Sequence, residues 1–146
     1  MSTALATRPS LTLKRRLNAP PAKVYQAWTD PQKMMRWYAP ANAETLAAES
    51  DAREGGRFRV LMRTADGQEH DVSGVYREVV PDQKLVFTWQ WRSKPEWESL
   101  VTVTFKRDGD ATILTLLHEQ LPDEPEREGH QNGWSGALDK LAHAVG

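Results

Sequence analysis

From Ala41 to Gln120 the chain alternates apolar and polar residues with a period of two, and this stretch limits the fold more than anything else in the sequence. Strands have that period because successive side chains point to opposite faces. In "RFRVLMRT", Phe58, Val60 and Met62 face one way, with Arg57, Arg59 and Arg63 on the other side. "KLVFTWQWR" sets Leu85, Phe87, Trp89 and Trp91 against Thr88, Gln90 and Arg92. "SLVTVTFKR" does the same with Val101, Val103 and Phe105. The separators are short: Asp66-Gly67 reads as a hairpin turn, Pro81-Asp82 as another, and "DGD" as a third. Strands joined in series by tight turns form an antiparallel sheet, and its single apolar face must be covered.

The cover comes from the end of the chain. Between about Glu124 and Val145, Trp134, Leu138, Leu141 and Val145 recur at helical spacing, with His130 on the same side. Before the alternating region, "SLTLKRRL" predicts a first strand, and two short helical segments follow. Pro21 opens the first of these, and Asp30 caps the second, "PQKMMRWY", which Pro40 ends. The order is β-α-α, six more strands, then one long helix. It predicts an α+β fold in which a curved antiparallel sheet of about seven strands wraps around the C-terminal helix. At 146 residues the simplest division is a flexible arm over residues 1–9 and a single domain over 10–146.

Composition excludes several functions. Charged residues are 27% of the chain and balance to a net −1, without the basic excess that a general nucleic-acid binder or an anionic membrane partner requires. There is no cysteine, so disulfides, thiolate nucleophiles and cysteine-rich zinc sites are ruled out. "MSTALATRPS" lacks the apolar core of a signal peptide, and runs such as "ILTLL" are too short to span a bilayer. The default expectation is a cytoplasmic protein. G-x-S-x-G, P-loop, G-x-G-x-x-G and H-E-x-x-H patterns are absent. "HEQLP" starts like a zinc helix but lies at a strand end, where Pro122 would break a helix. His70, His118, His130 and His143 are scattered. No catalytic residue, metal site or cofactor is assigned.

Two polar residues fall on apolar faces. Arg15 shares a face with Leu11, Leu13 and Leu17, and a buried guanidinium needs a partner; Glu78, Asp51 and Glu119 are the candidates. His118 shares a strand face with Leu114 and Leu116 and is expected to point inward. In the last helix, Gly133 and Gly136 flank Trp134, although glycine costs a helix roughly 1 kcal/mol relative to alanine. Either they admit a close neighbour, or they leave space beside the indole at the mouth of a cavity.

The ordered set "WTDP", "DAREGG", "LVFTW" and "GWSGAL" resembles the family of activator-of-heat-shock-protein-ATPase homologues, within the START-like or SRPBCC superfamily. The resemblance runs from about Leu11 to Val145. It implies the helix-grip fold, with a deep and mostly apolar cavity between sheet and helix that binds hydrophobic molecules. Matching positions are Arg15, Trp28, Trp37, Tyr38, Trp89, Trp91, His118 and Trp134. The expected function is binding of a small hydrophobic ligand. Candidate lining from the sheet is Phe58, Val60, Met62, Phe87, Trp89, Trp91, Leu114, Leu116 and His118. From the helices it is Trp37, His130, Trp134 and Leu138, and Arg15 and Glu78 are candidates for a buried charge. The alternatives are a cyclase- or hydrolase-like enzyme using the same cavity, and a co-chaperone-like interaction domain. Expected partners are the ligand and either a second copy or a chaperone.

Overall fold

The structure, a computed structural model, describes residues 8–146. Its elements run in the order β1 (Leu11–Leu17), α1 (Pro21–Thr29), α2 (Pro31–Met34), β2 (Ala43–Ser50), β3 (Arg57–Thr64), β4 (Glu69–Val80), β5 (Lys84–Trp91), β6 (Ser99–Asp108), β7 (Ala111–Glu119) and α3 (Glu124–Val145). The seven strands form one antiparallel sheet in the order β1-β7-β6-β5-β4-β3-β2. β1 and β2 are therefore the edges, and the two short helices connect one to the other. This is the helix-grip architecture. No helix among the described residues is long and apolar enough to cross a membrane.

Local chemistry sets the helix ends. The Asp123 side chain accepts from the Glu126 N–H at 2.9 Å and starts α3, with acidic Glu124 and Glu126 in its first turn. Asp30 caps α2 by accepting from the Gln32 N–H at 3.0 Å. α2 is shorter than the sequence predicts, ending at Met34 rather than Tyr38. Beyond it the Trp37 N–H bonds back to Met34 O three residues away. The turn tightens as it nears Pro40, which disfavours helical geometry at Ala39. Of the arm expected over residues 1–9, residues 1–7 lie outside the described ones. Pro9 O accepts from the Leu121 N–H at 3.1 Å, and the Arg8 guanidinium lies 4.5 Å from the centre of the Trp97 ring.

The concave face is packed with Phe58, Val60, Tyr76, Leu85, Phe87, Val103, Leu114 and Leu116, each at most 2% exposed. Leu138, Leu141 and Val145 of α3 and Val24 and Trp28 of α1 close over it. Each such side chain contributes about 1.5–3 kcal/mol by leaving water. β4 approaches β5 closely at Gly74, where a Cβ would lie 1.8 Å from Thr88 O and 2.6 Å from a Phe58 ring carbon. Only glycine permits this approach of β4 to β5.

Candidate functional site

Pairs of tryptophan and histidine join the sheet to α3. The Trp134 Nε1–H donates to His118 Nδ1 at 3.0 Å. An indole N–H can only donate, so Nδ1 carries no proton and Nε2 does. Nε2–H then donates to Ser99 Oγ at 2.7 Å, and the serine hydroxyl donates to Trp89 O at 3.3 Å. Burial holds the His118 imidazole well below its ordinary range, and nearby His130 adds to the effect. The second pair has the opposite tautomer. Trp91 Nε1–H donates to His130 Nε2 at 3.0 Å, so His130 Nδ1–H donates to Glu126 O at 2.7 Å. His130 is also lowered by burial, partly offset by its contact with Glu126. The two rings meet edge to face, 5.0 Å apart.

Beside the second pair lies a pocket of about 400 Å³, between the first half of α3 and the ends of β3, β4 and β5. Trp89, Trp91, Trp134, Tyr38 and Met62 give it an apolar wall. Tyr38 stacks on Trp89 at 6.4 Å, and Trp91 stands perpendicular to Trp89 at 5.6 Å. Gly129 and Gly133 present bare helix backbone. The rim is polar, with His70, Thr64 and Ser93, and with Lys94 paired to Glu126 at 2.9 Å.

The structure divides the sequence-predicted residues into groups. Met62, Trp89, Trp91, His130 and Trp134 line the pocket. Trp37, Phe58, Val60, Phe87, Leu114, Leu116 and Leu138 are core, and Trp37 Nε1–H donates to Ala27 O at 2.8 Å. His118 does point inward, one layer behind the pocket wall. The interior in which a deep cavity was expected is filled by side chains: Trp28 stacks on Trp134 at 5.8 Å and meets Trp37 at 4.6 Å.

The expected buried charge pair is not found. The Arg15 side chain is 29% exposed, donates to Ser135 Oγ at 3.0 Å and lies 3.8 Å from Asp139. It also donates to Lys14 O at 3.2 Å, and both of its side-chain partners are on α3. Glu78 is 44% exposed and pairs with Lys84 at 3.3 Å. Strict alternation would put Glu78 inside with Tyr76. The register shift between Tyr76 and Glu78 instead places it opposite Val86, on the outer face.

Sequence reasoning missed Gly129, His70, Lys94 and Glu126. Gly129 was detectable, since it lies four residues before Gly133 and so on the same helical side. The others depend on how α3 docks. The two flanking glycines separate in role. A Cβ on Gly136 would lie 2.6 Å from Ala41 N, whereas one on Gly133 would meet only Pro40 Cγ, at 3.5 Å. Gly136 therefore admits a close neighbour, and Gly133 borders the pocket.

Residues 18–146 match the family described as activator of Hsp90 ATPase homolog 1-like protein. The chain belongs to this family. Activator of 90 kDa heat shock protein ATPase homolog 1 from Homo sapiens is 29% identical over 126 residues, covering 85% of this chain and 33% of that protein. The mouse protein of the same name is 29% identical over 125 residues, with the same coverage. The chain thus spans about a third of the length of the curated relatives it matches. Among solved structures, protein CV1439 from Chromobacterium violaceum superposes with a TM-score of 0.84 at 30% identity, covering 94% of this chain and 97% of that one. The AHSA1 protein from Silicibacter pomeroyi gives 0.82 at 29% identity, covering 92% and 96%. These relatives place the fold within the activator-homologue family.

Proposed function

We propose that this chain binds a small hydrophobic molecule in the pocket between α3 and the ends of β3–β5. The observation that carries this reading is the wall of Trp89, Trp91, Trp134, Tyr38 and Met62 around about 400 Å³. That volume lies in the range of ligand sites, which are largely apolar with a few polar groups to fix orientation. The Ser99–His118 pair does not favour the hydrolase-like alternative. His118 Nε2 already holds the proton it donates to Ser99, so it cannot take one from that serine. Arg15 and Glu78 lie elsewhere on the molecule.

The test is native mass spectrometry of the purified protein, followed by tryptophan-fluorescence titration across a lipid and aromatic panel. A bound or titratable ligand is expected. A bare protein whose fluorescence no compound changes would overturn the reading.

A second reading rests on the human relative, whose name describes an activator of a heat-shock ATPase. On this reading the chain contacts a chaperone of that class. Addition of the chain to such an ATPase should then raise ATP turnover, and unchanged turnover counts against it.

A further inference from the structure

We propose that the ligand is a planar aromatic molecule, on the order of two or three rings, that lies flat between α3 and the indoles of β5. This deepens the binding reading above and rests on it. Three observations lead to it. The first is the bare strip of helix: a Cβ on Gly129 would meet nothing within 4 Å, and one on Gly133 would reach only Pro40 Cγ. A flat ring can approach such a surface to van der Waals contact, where any side chain would hold it off. The second is the facing wall. Trp89 and Trp91 stand at 90° to each other, so a planar ligand can stack on one ring and meet the edge of the other, the two arrangements aromatic pairs prefer. The Trp91 ring is fixed by its bond to His130, so little side-chain freedom is lost on binding.

The third observation concerns length. An extended acyl chain needs a tunnel into the core. Here Trp28, Leu116 and Leu138, each at most 1% exposed, close the interior behind the pocket wall. The space lies between α3 and β5, with polar groups at Thr64, His70, Ser93, Lys94, Glu126 and His130. A flat bicyclic or tricyclic molecule with a rim-facing hydroxyl meets these limits. A long flexible chain or a globular aliphatic cage does not.

Calorimetric titration of the full chain with 2-naphthol, 1-decanol and 1-adamantanol tests this, since the three share a hydroxyl and differ in shape. At least tenfold tighter binding of 2-naphthol is expected. Equal or tighter binding of 1-decanol or 1-adamantanol overturns the planar class and leaves the pocket reading standing. Binding of none of them, together with a bare protein in native mass spectrometry, overturns both. Gly129→Leu fills the strip from the helix side and should weaken 2-naphthol at least tenfold without lowering the melting temperature. Gly133→Ala is the milder second variant and should weaken it several-fold. Unchanged affinity in the folded variants overturns the placement against α3.

Discussion

The same substitution three residues apart in α3 should change stability in opposite directions. Alanine in place of a helical glycine gains about 1 kcal/mol from reduced backbone freedom in the unfolded chain. At Gly133 nothing opposes this gain, because the new Cβ would lie 3.5 Å from Pro40 Cγ, an ordinary contact. Gly133→Ala should therefore stabilise by about 0.5–1 kcal/mol. At Gly136 the Cβ would lie 2.6 Å from Ala41 N, 2.9 Å from Ala41 Cβ and 3.2 Å from its Cα. The obstacle is backbone, and it is tied down. Lys140 Nζ donates to Pro40 O and to Ala43 O, both at 2.7 Å, on either side of Ala41. Overpacking of this kind costs typically 1–3 kcal/mol, and more where the neighbour is held. Gly136→Ala should lose roughly 1–2 kcal/mol net. Urea denaturation would read the difference, about 1.5–3 kcal/mol between the two variants, as midpoints shifted to opposite sides of the parent with an unchanged slope. If both variants are stabilised, the 39–43 loop yields and the Lys140 clamp does not hold it. If Gly133→Ala destabilises, the pocket side of α3 is packed more tightly than described.

Stability should also fall with acidity below about pH 6.5. Unfolded, each histidine takes up a proton near that pH; folded, His118 and His130 take theirs at lower pH. In that window the unfolded chain binds more protons, so each histidine removes up to about 1.4 kcal/mol per pH unit as the pH drops. Urea midpoints at pH 7.5, 6.5 and 5.5 check this, and a flat profile would contradict it. His118→Leu leaves the Trp134 indole N–H without an acceptor and takes from Ser99 Oγ the N–H it accepts, and should cost on the order of 3 kcal/mol by the same assay. Gly74→Ala sets a methyl group 1.8 Å from Thr88 O, and should cost about 3 kcal/mol or more, seen as loss of the cooperative melt.

The sequence carried the architecture because its signals are local. Alternation in "RFRVLMRT" and "KLVFTWQWR" dictates strands whatever lies around them, and Asp30 and Asp123 cap helices through neighbouring residues. The inward direction of His118 was legible for the same reason. Glu78 was misread because one extra residue in a strand reverses every face beyond it, and nothing in "YREVV" marks that bulge. The side-chain partners of Arg15 were misread because they lie on α3, and no periodicity tells where a helix crosses a sheet. The tryptophans of the pocket were recognisable as a group, but not which of them border open space. Trp37 and Trp89 look alike in sequence. One is enclosed by α1 and the other forms a wall, and the packing of the helices rather than either sequence decides between them.

The strand order also governs when this chain can fold. Among the described residues β1 is the first element and pairs only with β7, Leu11 opposite His118 and Leu17 opposite Thr112. On a ribosome, its leucines must wait for β7, about 100 residues later, to emerge before they meet a partner strand. α3, which covers the sheet, comes later still. Such distant pairing makes loop closure costly and folding slow, in the millisecond-to-second range typical of sheets held by non-local contacts. A nascent chain cut short before Ala111 would have an unpaired first strand and an uncovered apolar face. The fold is completed only once α3 has been made, the same helix that supplies one wall of the pocket.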